Sequence, residues 1–299
     1  MRLAARWLGA GVTGGDFVGC VAEAHDRACV IATEDGLWLT LACARLGALP
    51  GAITLATPAG FAFRPLLAEG AAAAARGGVL RVAGSVLALA VDLRGARPWR
   101  SNLEALRLDL ARPPCRAAWQ EAATILAEDG RAAALLSVGG AAIDALDAAT
   151  RGGDAGAARQ AVCRLIGLGA GRTPDGDDFL VGYLAGLRAA GAGAPIVAAV
   201  CAHVAALAAR TGDLSRHYLR AAAAGEVGER LHDVAAAIAA AGPLAPAMRA
   251  ALALGHGSGA AGVLGLLRGA AARWRSGKCR SPRSAASSPA SPPRSASAR

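Results

Sequence analysis

Two glycine ladders of equal spacing, far apart in the chain, constrain its fold more than any other feature. Gly182 and Gly186 lie four residues apart in the run F-L-V-G-Y-L-A-G-L-R, and Gly265 and Gly269 lie four apart in G-V-L-G-L-L-R-G-A. Small residues at that spacing leave a bare stripe on one helix face, and two such stripes let helix backbones approach closely. The match extends beyond the ladders. With Gly176 set on Gly259, Leu184 falls on Leu267, Thr173 on His256 and Asp175 on Ser258. The acidic pair Asp177-Asp178 falls on Ala260-Ala261. The chain therefore reads as two related loop–helix units, one acidic and one carrying His and Ser, whose helices pair and whose loops converge on one pocket. Coincidence in a Gly/Ala-rich sequence is the competing reading.

The acidic unit opens with Gly167, Gly169 and Gly171 at alternate positions, then Thr173-Pro174-Asp175-Gly176-Asp177-Asp178. Thr173 is a good N-cap, Pro174 suits the first helical position, and carboxylates in the first turn favour the helix dipole. A helix is expected over Pro174–Arg188. A glycine-rich loop feeding a helix N-terminus suits anions, yet three carboxylates repel a bare anion. A divalent cation held by Asp177 or Asp178 would reconcile the two, and hard oxygen ligands suit Mg²⁺. The plainer reading is a capped helix with a solvated acidic turn. Adjacent helical residues point about 100° apart, so one of the two aspartates faces the pocket and the other is left for backbone donors or water. His256 is an acid/base candidate near neutral pH or a loop-packing histidine. Ser258 is a cap or an anion ligand.

These motifs resemble the AllH-type family of bacterial proteins, formerly a domain of unknown function, whose best-known member is a subunit of oxamate carbamoyltransferase in anaerobic allantoin breakdown. The resemblance is carried by L-I-G-L-G-A-G-R-T-P-D-G-D-D-F-L-V-G and by L-G-H-G-S-G-A-A-G-V-L-G-L-L. Thr211, Ser215, Leu219, Ala222 and Gly225 carry a weaker intervening segment, and the likeness spans about Gly11 to Leu267. Ala260-Ala261 stands where an acidic residue is expected, and Arg172 where a leucine is usual. The resemblance implies transfer of a carbamoyl group between carbamoyl phosphate and oxamate, giving oxalurate and phosphate, with other carbamoyltransferase subunits as partners. On the site read from these motifs, Asp177, Asp178 and His256 take the catalytic roles. Small anionic substrates would be bound by Gly169, Gly171, Thr173, Gly176, Ser215, Gly257, Ser258 and Gly259. Mg²⁺ at Asp177 and Asp178 is the one cofactor considered. A non-catalytic assembly subunit and a small-anion-binding regulator are the alternatives.

The rest of the chain predicts an α+β fold. Residues 1–100 hold short β-favouring runs at Val18–Ala24, Ala28–Thr33, Leu37–Cys43, Ala52–Thr57 and Val79–Leu93. Turn signals at Asp35-Gly36 and Gly77-Gly78 separate some of them. An antiparallel sheet or partly open barrel is expected, with Leu66–Arg76 as a short helix. Residues 101–275 read as helices: Leu103–Leu110, Arg116–Glu128, Ala141–Ala149, Ala155–Ile166, Pro174–Arg188, Pro195–Arg210, Leu214–Ala224, Gly228–Ala241, Pro246–Leu254 and Gly259–Arg273. Breaks are expected at Pro113-Pro114 and Gly139-Gly140, among others. Residues 276–299 are Ser/Pro/Ala/Arg-rich and expected to be disordered. Although the net charge is +10, seven of the basic residues and no acid fall in 273–299. The basicity belongs to the tail and does not argue for nucleic acid as a partner. Scattered cysteines, an odd seven with no C-x-x-C, suit reduced thiols in a cytoplasmic protein. No signal peptide is read, and the apolar stretch Ala194–Ala209 is taken for a soluble helix, so no membrane partner is expected.

Overall fold

The computed structural model describes residues 1–85, 87–191 and 194–274. The disordered tail expected over 276–299 lies outside the described residues. The N-terminal part is a ring of strands: β1 (Arg2–Leu8), β2 (Phe17–Ala24), β3 (Ala28–Thr33), β4 (Trp38–Cys43), β5 (Ala52–Leu55), β6 (Ala72–Arg76), β7 (Val79–Val82) and β8 (Leu89–Asp92). The order runs β5-β4-β3-β2-β6-β7-β8-β1, and a β1–β5 pairing closes it into a barrel. Most pairings are antiparallel, while β1–β8 and β4–β5 are parallel. Alternation along the strands fills the interior with Ile31, Leu41, Ile53, Leu80 and Val91, and Phe63 joins them from a connecting loop. Closure pairs each of these eight strands on both sides, and the two-residue strand Arg97–Pro98 adds a short parallel pairing to the end of β1.

One expectation fails here. Ala72–Arg76 is strand β6, not the end of a helix over Leu66–Arg76. Alanine favours helices in isolation, but this run lies between β2 and β7, and both offer ladder partners. The Gly77-Gly78 turn has positive φ at both residues, 56° and 77°, as a tight hairpin between β6 and β7 requires. Nothing local in the sequence marks the ring-closing strand β1. R-L-A-A-R-W-L carries little alternation of its own, and its strand character comes from the neighbours it joins.

The second part is helical: α1 (Pro113–Asp129), α2 (Ala132–Gly152), α3 (Ala155–Leu165), α4 (Asp175–Gly191), α5 (Pro195–Leu207), α6 (Asp213–Ala223), α7 (Glu229–Ala240), α8 (Leu244–Leu252) and α9 (Ser258–Arg273). Leu103–Leu110 is not a helix. Only Leu103–Leu106 form a 3-10 turn, between Asn102 and Arg107 in the left-handed region. Pro113 and Pro114 open α1 rather than breaking the chain, since prolines in a first turn forfeit no internal bond. Gly139-Gly140 sits inside α2, and Gly139 makes room there for the side chain of Leu168. By length and composition α2 is apolar enough to cross a membrane, yet Ile143 and Leu146 on it are fully buried in the helical core.

At the centre α4 and α9 run side by side, buried nearly all round. They are parallel, because contacts advance in the same direction along both. A Cβ on Gly182 would strike Gly262 O, and one on Gly186 would strike Leu266 O. Reciprocally, a Cβ on Gly265 would strike Phe179 O, and one on Gly269 would strike Tyr183 O. These pairs interconvert when the two helices are exchanged at the sequence offset that sets Gly176 on Gly259. The crossing therefore has a local two-fold axis along the helix direction, and it brings both N-termini to the same end.

The barrel docks at that end. Ala48 N donates to Glu229 Oε2 at 2.7 Å, and Glu229 N donates back to Ala48 O at 2.8 Å. Gly51 lies against the ring of His217, where any side chain would collide. Ser101 Oγ ties the connection between the two parts to Gly225 O at 2.7 Å.

Candidate functional site

The two loops meet directly. Thr173 Oγ1 and Ser258 Oγ are 3.1 Å apart. Gly257 lies against the Asp175 carboxylate, where an added Cβ would sit 2.8 Å from Oδ1. Each loop is closed by the same backbone device. Gly176 N donates to Leu168 O at 2.8 Å in the first, and Gly259 N donates to Leu254 O at 3.1 Å in the second. Both glycines press on a preceding backbone carbonyl, Leu165 O and Ala251 O, which leaves no room for a Cβ. The N–H groups of Gly176 and Gly259 are thus spent inside the loops and are not free for a ligand.

Asp177 and Asp178 diverge as adjacent helical residues must. Asp177 is 1% exposed. Its Oδ1 accepts from Gly167 N at 2.8 Å, and its Oδ2 accepts from Thr211 Oγ1 at 2.6 Å and Ser215 Oγ at 2.7 Å. This carboxylate clamps the glycine loop to the start of α6, and Ser215, predicted as a substrate ligand, belongs to the clamp. Asp177 does not fit a magnesium site, because both its oxygens already hold donors. Among the described residues no group of three or more His, Cys, Asp or Glu is arranged so that it could hold a metal ion.

Asp178 faces a cavity of about 280 Å³ between the helix N-termini and the barrel. Its Oδ2 is enclosed and lacks a hydrogen-bond partner. Burial pushes its carboxyl up to about 7; the Ser258 and Thr173 hydroxyls oppose the shift, and Asp175 and Asp177 add to it. Tyr218, also in the wall, is pushed up to about 12, first by burial and then by Asp178. Arg230, on the first turn of α7, lines the cavity too, and its Nε has no partner. Glu226 is already engaged by Ser101 N at 3.0 Å and by Arg100 at 3.6 Å. The remaining wall is largely aliphatic, from Leu46, Leu49 and Pro50 of the barrel to Val181, Leu214, Leu231 and Leu254.

Gly259 lines the cavity as well, whereas Gly169, Gly171 and His256 stand apart from it. Gly169 and Gly171 have positive φ, 110° and 90°, and lie exposed in the loop. His256 is exposed, outside the lining, and takes no part in the loop-to-loop contact. Arg172 reaches over to Glu23 and His25 at the end of β2, and burial lowers its pKa. It therefore bridges the first loop and the barrel. Tyr218 and Arg230 were missed by sequence reasoning. Nothing local marks them: Arg230 is one of many arginines, and only the fold turns it inward.

No curated protein and no solved structure matches the chain. Residues 165–270, from the last residue of α3 to near the end of α9, match the model of the family described as oxamate carbamoyltransferase subunit AllH.

Proposed function

We propose that this chain is a subunit of an oxamate carbamoyltransferase and that the cavity at Asp178 is its substrate site. The observation that carries the reading is the Asp178 carboxyl, whose enclosed Oδ2 has no hydrogen-bond partner, beside Thr173 and Ser258, where two helix N-termini converge. In the proposed step the amide nitrogen of oxamate attacks the carbamoyl carbon of carbamoyl phosphate. The C–N bond forms, the C–O bond to phosphate breaks, and the nitrogen loses a proton. A carboxyl held near 7 is well matched to accept that proton at neutral pH. The leaving phosphate gains negative charge, and Arg230 in the cavity wall supplies donors for it. Asp177 acts through position, fixing the loop that carries Thr173.

A second reading has its own support. Ala260-Ala261 puts two methyl groups where the acidic pair of the first unit has carboxylates, so the second unit is chemically plain. On that reading the chain completes an interface, and partner subunits hold the reacting groups. Isothermal calorimetry of the purified chain with carbamoyl phosphate and with oxamate, each with and without Mg²⁺, separates the two. Saturable binding that Arg230→Ala weakens supports the substrate site. Absence of binding to the chain alone, with binding restored by partner subunits, supports the assembly role.

A further inference from the structure

The cavity is chemically lopsided. Thr173, Asp178 and Ser258 gather at the meeting of the two helix N-termini. Much of the remaining lining is aliphatic, from Leu46, Leu49, Val181, Leu214, Leu231 and Leu254. Oxamate and carbamoyl phosphate have no apolar part, so neither gives those aliphatic walls anything to bury. An apolar surface left against water is a standing cost that a ligand with a hydrocarbon body removes.

We propose that this cavity takes an aliphatic primary carboxamide, its amide group on Asp178, Thr173 and Ser258 and its hydrocarbon body against the leucine wall. The head chemistry fits each group. An amide NH₂ donates two hydrogen bonds, and Asp178 Oδ2 is an enclosed acceptor without a donor. An amide carbonyl accepts, and the Thr173 and Ser258 hydroxyls, which share one bond between them, have a proton to offer. A carboxylate head would set a second negative charge beside Asp178, with Asp175 and Asp177 close behind, so a neutral amide is preferred. The inference rests on the substrate-site reading above and widens the acceptor from oxamate to amides with an aliphatic side chain.

The test is calorimetry of the full chain at pH 7 with acetamide, propanamide, butanamide, pentanamide and hexanamide, with carbamoyl phosphate and oxamate run alongside. Burial of each methylene is worth about 0.8 kcal/mol, so affinity should rise about fourfold per carbon until the wall is filled. The Val181→Phe variant should move the optimum to a shorter amide, and Leu231→Ala should move it to a longer one. Circular dichroism of both variants confirms that they fold, and either shift alone supports the assignment. A flat series, or a rising series whose optimum ignores both substitutions, overturns it. Binding of carbamoyl phosphate with a flat amide series sinks this inference and leaves the substrate-site reading standing. A rising amide series without carbamoyl phosphate binding does the reverse.

Discussion

Asp177 and Asp178 leave the first turn of α4 in different directions, and the rotation separates a clamp from a candidate base. Asp177→Ala should strand the donors of Gly167, Thr211 and Ser215 in a buried place, at about 2–4 kcal/mol. Urea denaturation reads that cost, and a loss under 1 kcal/mol would mean that the loop is held by something else. Asp178 makes a prediction in pH. Its carboxyl sits at about 7 in the folded protein against an ordinary 3.8. Between those values the folded state keeps a proton that the unfolded chain has released. The group's contribution is therefore whole at low pH, shrinks as pH rises, and is gone above about 7. Asp178→Asn does not titrate. Its melting temperature relative to the parent should climb from pH 4 to pH 7 and then level off, at about 2–4 °C for each kcal/mol. Parallel curves across that range would disprove the buried titration.

At the scale of elements, the α4–α9 crossing yields a paired test. Gly182→Ala places a methyl group on Gly262 O, so it should destabilise by about 1–3 kcal/mol or more, and Gly182→Leu should do worse. Gly262→Ala is the control. A Cβ there meets nothing nearer than Asp178 O at 3.7 Å, and alanine favours a helix over glycine by about 1 kcal/mol. It should be neutral or stabilising by thermal melting, and equal costs for the two substitutions would disprove the crossing as drawn. This pairing was legible in the sequence, because a four-residue glycine spacing states a steric requirement without help from the rest of the fold. Some helix bounds were legible too: Ala155–Ile166 and Gly259–Arg273 fall within a residue of α3 and α9, whereas Ala141–Ala149 is only the second half of α2. The barrel was harder to read. Ala72–Arg76 and Arg2–Leu8 become strands through neighbours distant in the chain, and no local pattern encodes ring closure. At the site, the divergence of Asp177 and Asp178 follows from helix geometry. Tyr218 and Arg230 gain meaning only once α6 and α7 are packed around the cavity, and the same packing leaves His256 outside.

Across the whole molecule, the barrel supplies one wall of the cavity through Ala28, Leu46, Leu49 and Pro50. The reciprocal bonds between Ala48 and Glu229 hold that wall in place. Glu229→Ala should loosen it, raising hydrogen exchange over residues 46–51 and weakening carbamoyl phosphate binding several-fold while helix content by circular dichroism stays the same. Unchanged exchange would show that the barrel is fixed by other contacts. The parallel glycine crossing has a further consequence, in time rather than in space. Its two partners are separated by four helices, α5 to α8, and the later one is the last described helix. Until α9 has been synthesised, α4 exposes a groove of bare backbone that no earlier helix can fill, and the loop between them must close before that contact rewards it. The α4–α9 crossing can thus form only after α9 has been translated, and until then the nascent chain keeps that groove open to misassembly.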